Sequence, residues 1–405
     1  MRKLAVQLVR TPTESLRVGH LAELNRRIYF EYAPEFVDRG LQLSPFKLPL
    51  RTGVIEHTDS AFGPLPGLFD DSLPDVWGLL LMDRALRRTG VDPRTVSPLE
   101  RLAWLGTRTM GALTYHPPHE MESTDRALDL ARLAANARAV LAGEASEVLP
   151  ELIRAGGSPG GTRPKVLVGL CGNRVLSGED DLPADYEHWL VKFPARQDAR
   201  EAGPMEYAYA RMAQAAGIDM PEVRLLTGSR NARFFAIRRF DRAPGNRRRH
   251  VHTFGNLIHA DYRVPGCDYA DLLKVAAALT RNHKDVVQAF RRMVFNVAAH
   301  NRDDHAKNFA FLMDDDGQWF LSPAYDITFA PGPGGEHTTT ILGEGRSPTA
   351  DHCLQLAAQA GLQRNEAVDV LDEVNAAVCQ WPRLAAEAGC TRRTIHETGG
   401  RLIPL

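Results

Sequence analysis

Near residue 300 an apolar stretch is followed by the polar sequence NRDDHAKNFAF, in which acidic, basic and amide side chains lie close together. Transfer of a phosphoryl group from ATP needs a carboxylate to receive the proton of the acceptor hydroxyl, and oxygen ligands for magnesium. Kinase catalytic loops supply them as an Asp, an Asn five positions later, and a second Asp further on. Asp303 and Asn308 have this spacing, Asp326 follows, and Lys307 could neutralise charge on the transferred group. The cluster therefore predicts phosphoryl transfer.

Two further parts of an ATP site occur earlier in the chain. The glycine-rich segment AGGSPGGTRPK offers backbone that can approach phosphates closely. Lys192 lies in the apolar segment WLVKFP, and Glu206 lies in the helical segment MEYAYARM that follows, although Glu201 is near enough to substitute for it. A strand lysine held by a helix glutamate is the pair that kinases use at ATP phosphates. The glycine-rich loop, Lys192, Glu206, the pair Asp303 and Asn308, and Asp326 follow one another in the order that a kinase site requires. These five parts together predict a single site.

Apolar patterns predict the elements that position these residues. KVLVGL and HWLVKFP have strand patterns, EVRLLTG and RFFAIRRF predict a hairpin, and NFAFLM with WFLSPA predicts another that returns Asp326 toward Asn308. YADLLKVAAALT and DVVQAFRRMVFNVAAH have helical periodicity, and Asp285 is the predicted N-cap of the second. Two or three more helices are expected at the C-terminal end. The order predicts a small sheet-based lobe followed by a helical lobe.

The N-terminal part has its own pattern. KLAVQLV and RIYFEY predict strands, a helix containing Trp77 is expected to end at Gly90, and SPLERLAWLG predicts a second helix. A linking helix is expected in STDRALDLARLAANARAVLAG, with its start at Ser-Thr-Asp. We predict an α+β protein with a small β-rich N-terminal domain packed on the smaller lobe of a two-lobed kinase-like fold. The predicted divisions are 1–118, 119–148, 149–253 and 254–405.

Bulk composition limits the classes of function. The chain has 405 residues, a formal net charge of −1 and five scattered cysteines. Such a charge gives no overall attraction to nucleic acid or an anionic membrane, and the cysteines have no zinc-ligand spacing. The first residues do not have the pattern expected of a signal peptide, and the longest apolar run is too short to be expected to span a bilayer. These features predict a cytoplasmic protein without a membrane partner.

The motifs SPGGTRPK, VKFP, RRFDR, NRDDHAKNFAF and PAYDI, with the N-terminal GPLPGLFDDSLPDVWG, resemble those of HipA-like serine/threonine kinase toxins. The resemblance covers nearly the whole chain. It implies a two-lobed kinase with ATP and Mg²⁺ between the lobes, and a protein substrate, which for the best-known member is an aminoacyl-tRNA synthetase. It also implies restraint by a helix-turn-helix antitoxin of the HipB type, with DNA contacted only through that antitoxin.

The resemblance also implies residue roles. Asp303 would be the catalytic base, Asn308 and Asp326 the magnesium ligands, and His305 would lie beside the phosphates. Ser158 would be autophosphorylated, which would expel the phosphate loop and switch the kinase off. The implied nucleotide-binding set, with hinge backbone at its last two members, comprises Ser158, Gly160, Gly161, Lys165, Lys192, Glu206, Arg238 and Phe240.

Several interpretations stay open. Pro159 and Arg163 differ from the residues common in the phosphate loop of the family, so the loop is not expected to keep the family's geometry unchanged. Asp304 is predicted to be a solvated loop residue, because exposed acidic residues usually have no specific role. A small-molecule phosphotransferase could use the same Asp, Asn and Asp. A kinase-shaped binding module acting through an antitoxin and DNA is the alternative from another class.

Overall fold

The structure is a computed structural model, and it describes residues 2–119, 127–145, 147–157, 161–195, 201–228 and 232–405. Ser158 and Gly160 therefore lie outside the described residues. Within the described ranges, no helix is both long enough and apolar enough to cross a membrane. The chain folds as an α+β protein with a β-rich N-terminal module and two further lobes.

The N-terminal module is built on a five-stranded antiparallel sheet with strand order β4-β3-β2-β1-β5. The strands are β1 (Arg2–Thr11), β2 (Glu14–Leu24), β3 (Arg27–Tyr32), β4 (Val54–Glu56) and β5 (Leu113–His116). Its helices are α1 (Pro34–Arg39), α2 (Gly67–Asp70), α3 (Val76–Arg88) and α4 (Pro98–Leu105). Alternating apolar residues of β1 and β3 face the core, as expected for a sheet with one covered face.

The smaller lobe contains a second five-stranded antiparallel sheet, in the order β7-β6-β8-β10-β9. Its strands are β6 (Lys165–Cys171), β7 (Arg174–Ser177), β8 (Glu187–Lys192), β9 (Val223–Thr227) and β10 (Arg233–Arg238). Helices α5 (Leu130–Ala142) and α6 (Pro150–Gly156) precede this sheet, and α7 (Ala202–Ala215) lies between β8 and β9 in the chain. Strand β8 is central, and Lys192 pairs with both Lys165 and Phe235.

The larger lobe is mainly helical. Short strands β11 (Arg242–Ala243) and β12 (Arg247–Arg248) lead to a three-stranded sheet of β13 (His250–Thr253), β15 (Ala310–Met313) and β16 (Trp319–Leu321). Strands β14 (Cys267–Asp268) and β17 (Thr339–Thr340) pair in parallel. The helices are α8 (Phe254–Ile258), α9 (Tyr269–Thr280), α10 (His283–Ala298), α11 (Ala350–Gln359), α12 (Arg364–Val378), α13 (Trp381–Ala388) and α14 (Arg392–Gly399).

Two apolar cores join the parts of the chain. One core runs from the N-terminal sheet, including Phe30 and Phe69, into the helical lobe at Phe254 and Phe290. The other packs α3, α5 and α6 against the central sheet around Trp189. The N-terminal module therefore contacts both lobes through buried apolar surface, which is the main favourable term in such packing.

Several sequence predictions differ from the structure at helix ends. Asn282, not Asp285, is the N-cap of α10, and its side chain accepts a hydrogen bond from the Lys284 N–H. The linking helix begins after Asp129, whose carboxylate accepts from two backbone N–H groups. Four helices, not two or three, follow residue 349. Asn and Asp have similar preferences for the N-cap position, so residue type alone does not separate Asn282 from Asp285.

Candidate active site

A largely buried lysine lies in the cleft between the two lobes. Lys192 ends the central strand β8, and its ammonium donates hydrogen bonds to Glu206 on α7 and, at 2.5 Å, to Asp326 from the helical lobe. Glu206 is 3% exposed, so its carboxylate is stabilised by the lysine rather than by water. The nearby Glu201 instead accepts a hydrogen bond from the Thr391 N–H. The structure thus brings together one residue from a strand, one from a helix and one from a distant loop.

The protonation states follow from burial and from these charges. Burial disfavours the ammonium form of Lys192, but the charges of Asp326 and Glu206 outweigh burial and raise the pKa of the lysine. Burial raises the pKa of Glu206. Burial also acts to raise the pKa of Asp326, but the charges of Lys192 and Lys165 outweigh burial there and lower this pKa. Lys165 pairs in register with Lys192, and burial lowers its pKa. The cleft therefore concentrates two lysines beside an ionised aspartate.

Asp326 reaches the lysine with an uncommon backbone conformation. Its φ of +56° lies in the left-handed region, which few residues other than glycine adopt. The preceding Tyr325 donates a hydrogen bond from its hydroxyl to the Lys307 carbonyl at 2.6 Å. Conformations of this kind persist where surrounding contacts enforce them, and they are frequent at functional sites.

The segment from Asp303 to Asn308 forms a compact loop that ends in a short 3₁₀ turn, Ala306–Asn308. The Asn308 side-chain N–H donates to the Asp303 carbonyl at 2.6 Å, and its backbone N–H donates to the His305 carbonyl at 2.8 Å. Because the amide nitrogen of Asn308 is used inside the loop, its Oδ1 is the atom left for an external ligand.

Asp303 is solvent-accessible and lines one polar cavity together with Asp326, Lys165 and Lys192. Burial by the cleft walls raises the pKa of the Asp303 carboxyl; His305 opposes this shift and Asp326 adds to it. The two aspartates therefore lie on the same face of the cleft and sense each other's charge. A carboxylate with a raised pKa is a stronger proton acceptor than an ordinary surface aspartate.

Asp304 does not have the environment that the sequence suggested. It is 1% exposed, so the interpretation of a solvated loop residue is wrong. Its carboxylate accepts hydrogen bonds from the Tyr269 hydroxyl (2.7 Å), His337 Nδ1 (2.8 Å) and the Thr338 N–H (2.8 Å). Local sequence cannot reveal these partners, which come from two distant segments.

The end of the glycine-rich loop lies over Lys165. Gly161 has φ +94°, and a Cβ added to it would lie 2.3 Å from the Lys165 ammonium nitrogen. The positive φ favours glycine at this position, because other residues rarely adopt it, and a side chain here would also displace the Lys165 ammonium. Ser158 and Gly160 precede it and are not among the described residues, so their predicted roles stay predictions.

Lys307 contacts the N-terminal module. Its ammonium lies 3.2 Å from Asp75 and 3.5 Å from Asp70, and it stands 4.8 Å above the centre of the Tyr262 ring. Sequence reasoning quoted the segment FDDSLPDVWG but assigned no role to Asp70 or Asp75. The signal available was an acidic, proline-containing turn before a helix, which does not identify a partner in another lobe.

A second, mainly apolar cavity adjoins the polar one. Its lining includes Gly161, Lys165, Lys192, His305 and Asn308 together with many hydrophobic residues. At the strand end, the Phe240 and Tyr325 rings have centroids 5.5 Å apart. The Arg238 N–H donates to the Glu222 carbonyl, and its guanidinium pairs with Glu187 at 3.2 Å. The N–H of Arg238, one of the two residues whose backbone was expected to form the hinge, is therefore already used within the protein.

Residues 157–381 match the model of the HipA-like C-terminal domain, and residues 11–116 match that of the HipA N-terminal domain. The chain is 28% identical over 324 residues to "Putative kinase Y4dM" of Sinorhizobium fredii, which covers 74% of each protein. It is also 30% identical over 142 residues to a "Putative kinase" of Haemophilus influenzae, covering 32% of this chain and 41% of that protein.

Among solved structures, the chain resembles HipA of Shewanella oneidensis MR-1, determined as a toxin–antitoxin complex with HipB and operator DNA. The TM-score is 0.73 at 18% identity, with 99% of this chain and 96% of the other covered. At that identity the likeness establishes the fold, including its two kinase-like lobes and the N-terminal module. Since the C-terminal model spans more than half of the chain and the N-terminal model spans the β-rich module before it, this chain belongs to the HipA family.

Proposed function

We propose that this chain is an ATP-dependent kinase that transfers the γ-phosphate of ATP to a serine or threonine hydroxyl of a protein. One observation carries the proposal. The ammonium of Lys192 is held between Glu206 and Asp326, in a cleft whose wall also includes Asp303 and whose adjoining cavity includes Asn308. Kinase chemistry requires this combination of a phosphate-binding lysine, a proton acceptor and oxygen ligands.

Asp303 is the proposed proton acceptor. Its carboxylate is accessible, and its raised pKa favours uptake of a proton from an acceptor hydroxyl. Lys165, Lys192 and the backbone of Gly161 are the proposed phosphate contacts, because both lysines line the two cavities and Gly161 lines the apolar cavity beside them. His305 lines the same apolar cavity and is a proposed contact of the reacting phosphate.

Asn308 and Asp326 would hold Mg²⁺. Their donor atoms suit this ion, since magnesium prefers carboxylate and carbonyl oxygens and usually takes few protein ligands when substrate phosphates supply others. Asn308 Oδ1 is left for this role because the amide nitrogen donates to Asp303. When bound, the ion would neutralise phosphate charge. The part of this chain is to orient Asn308 through the loop and Asp326 through Lys192 and Tyr325.

Autophosphorylation of Ser158 is part of the proposal. This serine lies three positions before Gly161, which is over Lys165. A phosphoserine carries nearly two negative charges, which would repel the phosphates of ATP and lower nucleotide affinity.

We further propose that the chain acts in the cytoplasm as a toxin restrained by a HipB-type antitoxin. The relative of known structure was determined with HipB and operator DNA, which supports such a partner. The formal net charge of −1 favours contact with DNA through the antitoxin rather than directly. An aminoacyl-tRNA synthetase is the proposed class of target, on the basis of the family resemblance.

The test is incubation of the purified chain with Mg²⁺ and γ-labelled ATP, with and without a bacterial lysate, followed by mapping of phosphorylated residues. Wild type should label a protein at serine or threonine and should carry phosphate at Ser158. Asp303→Asn should abolish both. Asp316→Asn is the matched control, because Asp316 is exposed in the β15–β16 turn. The proposal would be overturned if only a small molecule were labelled, or if Asp303→Asn labelled protein to the same extent as wild type.

A further inference from the structure

Asp75 begins helix α3 of the N-terminal module but does not cap it. Asp75 is at the N-cap position with an extended backbone, yet its side chain makes no capping hydrogen bond. An N-cap aspartate normally accepts a hydrogen bond from its own helix, which is worth about 1 kcal/mol. The carboxylate of Asp75 instead contacts groups far away in the sequence, so its identity is not explained by the stability of α3.

The Asp75 carboxylate joins three separate segments. Its Oδ2 accepts a hydrogen bond from the Gly161 N–H at 2.9 Å, at the end of the glycine-rich loop. Its Oδ1 accepts from the Lys307 ammonium and from the Tyr262 hydroxyl, each at 3.2 Å. One oxygen of Asp75 therefore binds the end of the phosphate loop at Gly161. The other oxygen binds Lys307 in the loop from Asp303 to Asn308, which is the proposed catalytic loop.

The ion pair between Asp75 and Lys307 is strengthened by its partial burial. The Asp75 and Lys307 side chains are 14% and 11% exposed, so water screens their attraction little. Burial works against ionisation of Asp75, but Lys307 and the Gly161 N–H outweigh it and lower the pKa of the carboxyl. Both groups therefore stay charged at neutral pH.

The position of Lys307 transmits the contact to the reacting groups. Lys307 immediately precedes Asn308, and its carbonyl accepts the hydrogen bond from Tyr325, which precedes Asp326. On the other side, Gly161 lies over the ammonium of Lys165. The hydrogen bonds of the Asp75 carboxylate go to Gly161, Lys307 and Tyr262 and not to Asp303 or Asp326, so Asp75 would act through Lys307 and Gly161.

We infer that Asp75 is a positioning residue through which the N-terminal module sets the spacing between the phosphate loop and the catalytic loop. The inference rests on the proposed kinase function and goes beyond it, because it makes the N-terminal module part of the active site. In this view Lys307 orients Asn308 by its pairing with Asp75, instead of neutralising the transferred phosphate.

The experiment compares Asp75→Ala, Asp75→Asn, Lys307→Gln and the double variant Asp75→Asn/Lys307→Gln in the full chain. Asp92→Asn is the matched control, since Asp92 is an N-cap in the same module and its carboxylate pairs with the nearby Arg94. The measurements are kcat and KM for ATP, melting temperature, and hydrogen–deuterium exchange at the Gly161 amide.

We expect Asp75→Ala to lower kcat/KM for ATP by roughly tenfold to a hundredfold, the effect typical of residues that orient a functional group. Exchange at the Gly161 amide should become faster in Asp75→Ala. In Asp75→Asn it should stay slow, because the amide oxygen can still accept that hydrogen bond. The losses in Asp75→Asn and Lys307→Gln should not add in the double variant, since both break one interaction.

Two failures can be told apart. If wild type turns over no ATP, the proposed function fails and the positioning role fails with it. If wild type is active and both Asp75 variants match Asp92→Asn in kcat/KM, the kinase function stands and the positioning role is wrong. Additive losses in the double variant would likewise overturn the coupling. Should Asp75→Ala fail to fold, Asp75→Asn and the cycle still decide the question.

Discussion

Asp303 and Asp304 are consecutive, but their carboxylates lie in opposite environments. Asp303 faces the cleft and is accessible to solvent, whereas Asp304 is 1% exposed and is held by Tyr269, His337 and Thr338. Asp303 is thus accessible to a substrate, as its proposed role as proton acceptor requires, and Asp304 fixes the loop that carries it. The proposed role would need such a rigid support, because small errors in position cost catalytic rate.

The buried role of Asp304 can be tested by its removal. Asp304→Ala would leave a tyrosine hydroxyl, a histidine and backbone N–H groups buried without their acceptor, so we expect a loss of stability of about 3 kcal/mol or more. Asp303→Ala should change stability by less than about 1 kcal/mol, because it removes an accessible carboxylate whose raised pKa shows that its charged form is disfavoured. Urea unfolding followed by circular dichroism would measure both, and equal losses in the two variants would contradict the assignment.

The sequence predicted the elements around the site better than the contacts between them. The strand containing Lys192, the helix containing Glu206 and the hairpin that returns Asp326 all have clear apolar periodicity. Chain order then made the pairing of Lys192 with Glu206 a reasonable hypothesis, and the structure places the two in contact.

The contacts that sequence reasoning missed are long-range and polar. Asp75 and Lys307 belong to different modules, and neither lies in a pattern that identifies the other. Asp304 resembles any charged loop residue, since its burial depends on segments that converge only in the fold. Hydrophobic periodicity reports which face of an element is covered, but it does not report which polar groups meet across the covered surface.

Lys192 should determine the pH dependence of stability in the central sheet. In Lys192→Met, Glu206 would remain buried without its cation, and the pKa of its carboxyl, already raised by burial, would rise further. A carboxyl with a raised folded-state pKa contributes most at low pH, and its contribution is lost as pH increases. The urea midpoint of Lys192→Met should therefore decrease as the pH rises above about 4, the ordinary range of a carboxyl group.

The control for this prediction is the double variant Lys192→Met/Glu206→Gln, in which no ionisable group is left at the Glu206 position. Its urea midpoint should depend on pH less than that of Lys192→Met. The same pH dependence in both variants would show that Glu206 is not the group responsible.

Asp241 connects the strand end of the smaller lobe to the N-terminal module. Its carboxylate accepts from the Arg239 guanidinium at 2.7 and 2.9 Å, from Arg242 at 2.6 Å and from the Gly111 N–H at 2.8 Å. Asp241→Asn would leave two buried guanidiniums without a counter-ion, so we expect a loss of about 3–5 kcal/mol. Limited proteolysis should cleave at the N-terminal module sooner in this variant.

Acid should weaken the same contact. Burial opposes ionisation of Asp241, but Arg239 and Arg242 outweigh burial and lower the pKa of the carboxyl. Its contribution should be constant above about pH 4, the ordinary range of aspartate, and should decrease as pH falls below it. For the variant Asp241→Asn, the matched control is Asp185→Asn, because Asp185 is exposed and pairs with Arg174 at the surface. An equal loss of stability in Asp241→Asn and Asp185→Asn would contradict the bridging role of Asp241.

His250 should make the wild-type protein less stable in mild acid. Its Nε2 lies 3.0 Å from the Leu43 carbonyl of the N-terminal module, and its Nδ1 is buried without a partner among the described residues. Burial, with a contribution from His252, lowers the pKa of the ring to about 4. Between pH 7.5 and 5.5 the unfolded chain takes up a proton at this histidine and the folded chain does not, so His250 should account for a loss of about 1 kcal/mol. His250→Gln should reduce that loss, as measured from urea midpoints at the two pH values, while the exposed His283→Gln should not. If His250→Gln and wild type lose the same stability over this interval, the buried neutral ring is not the cause.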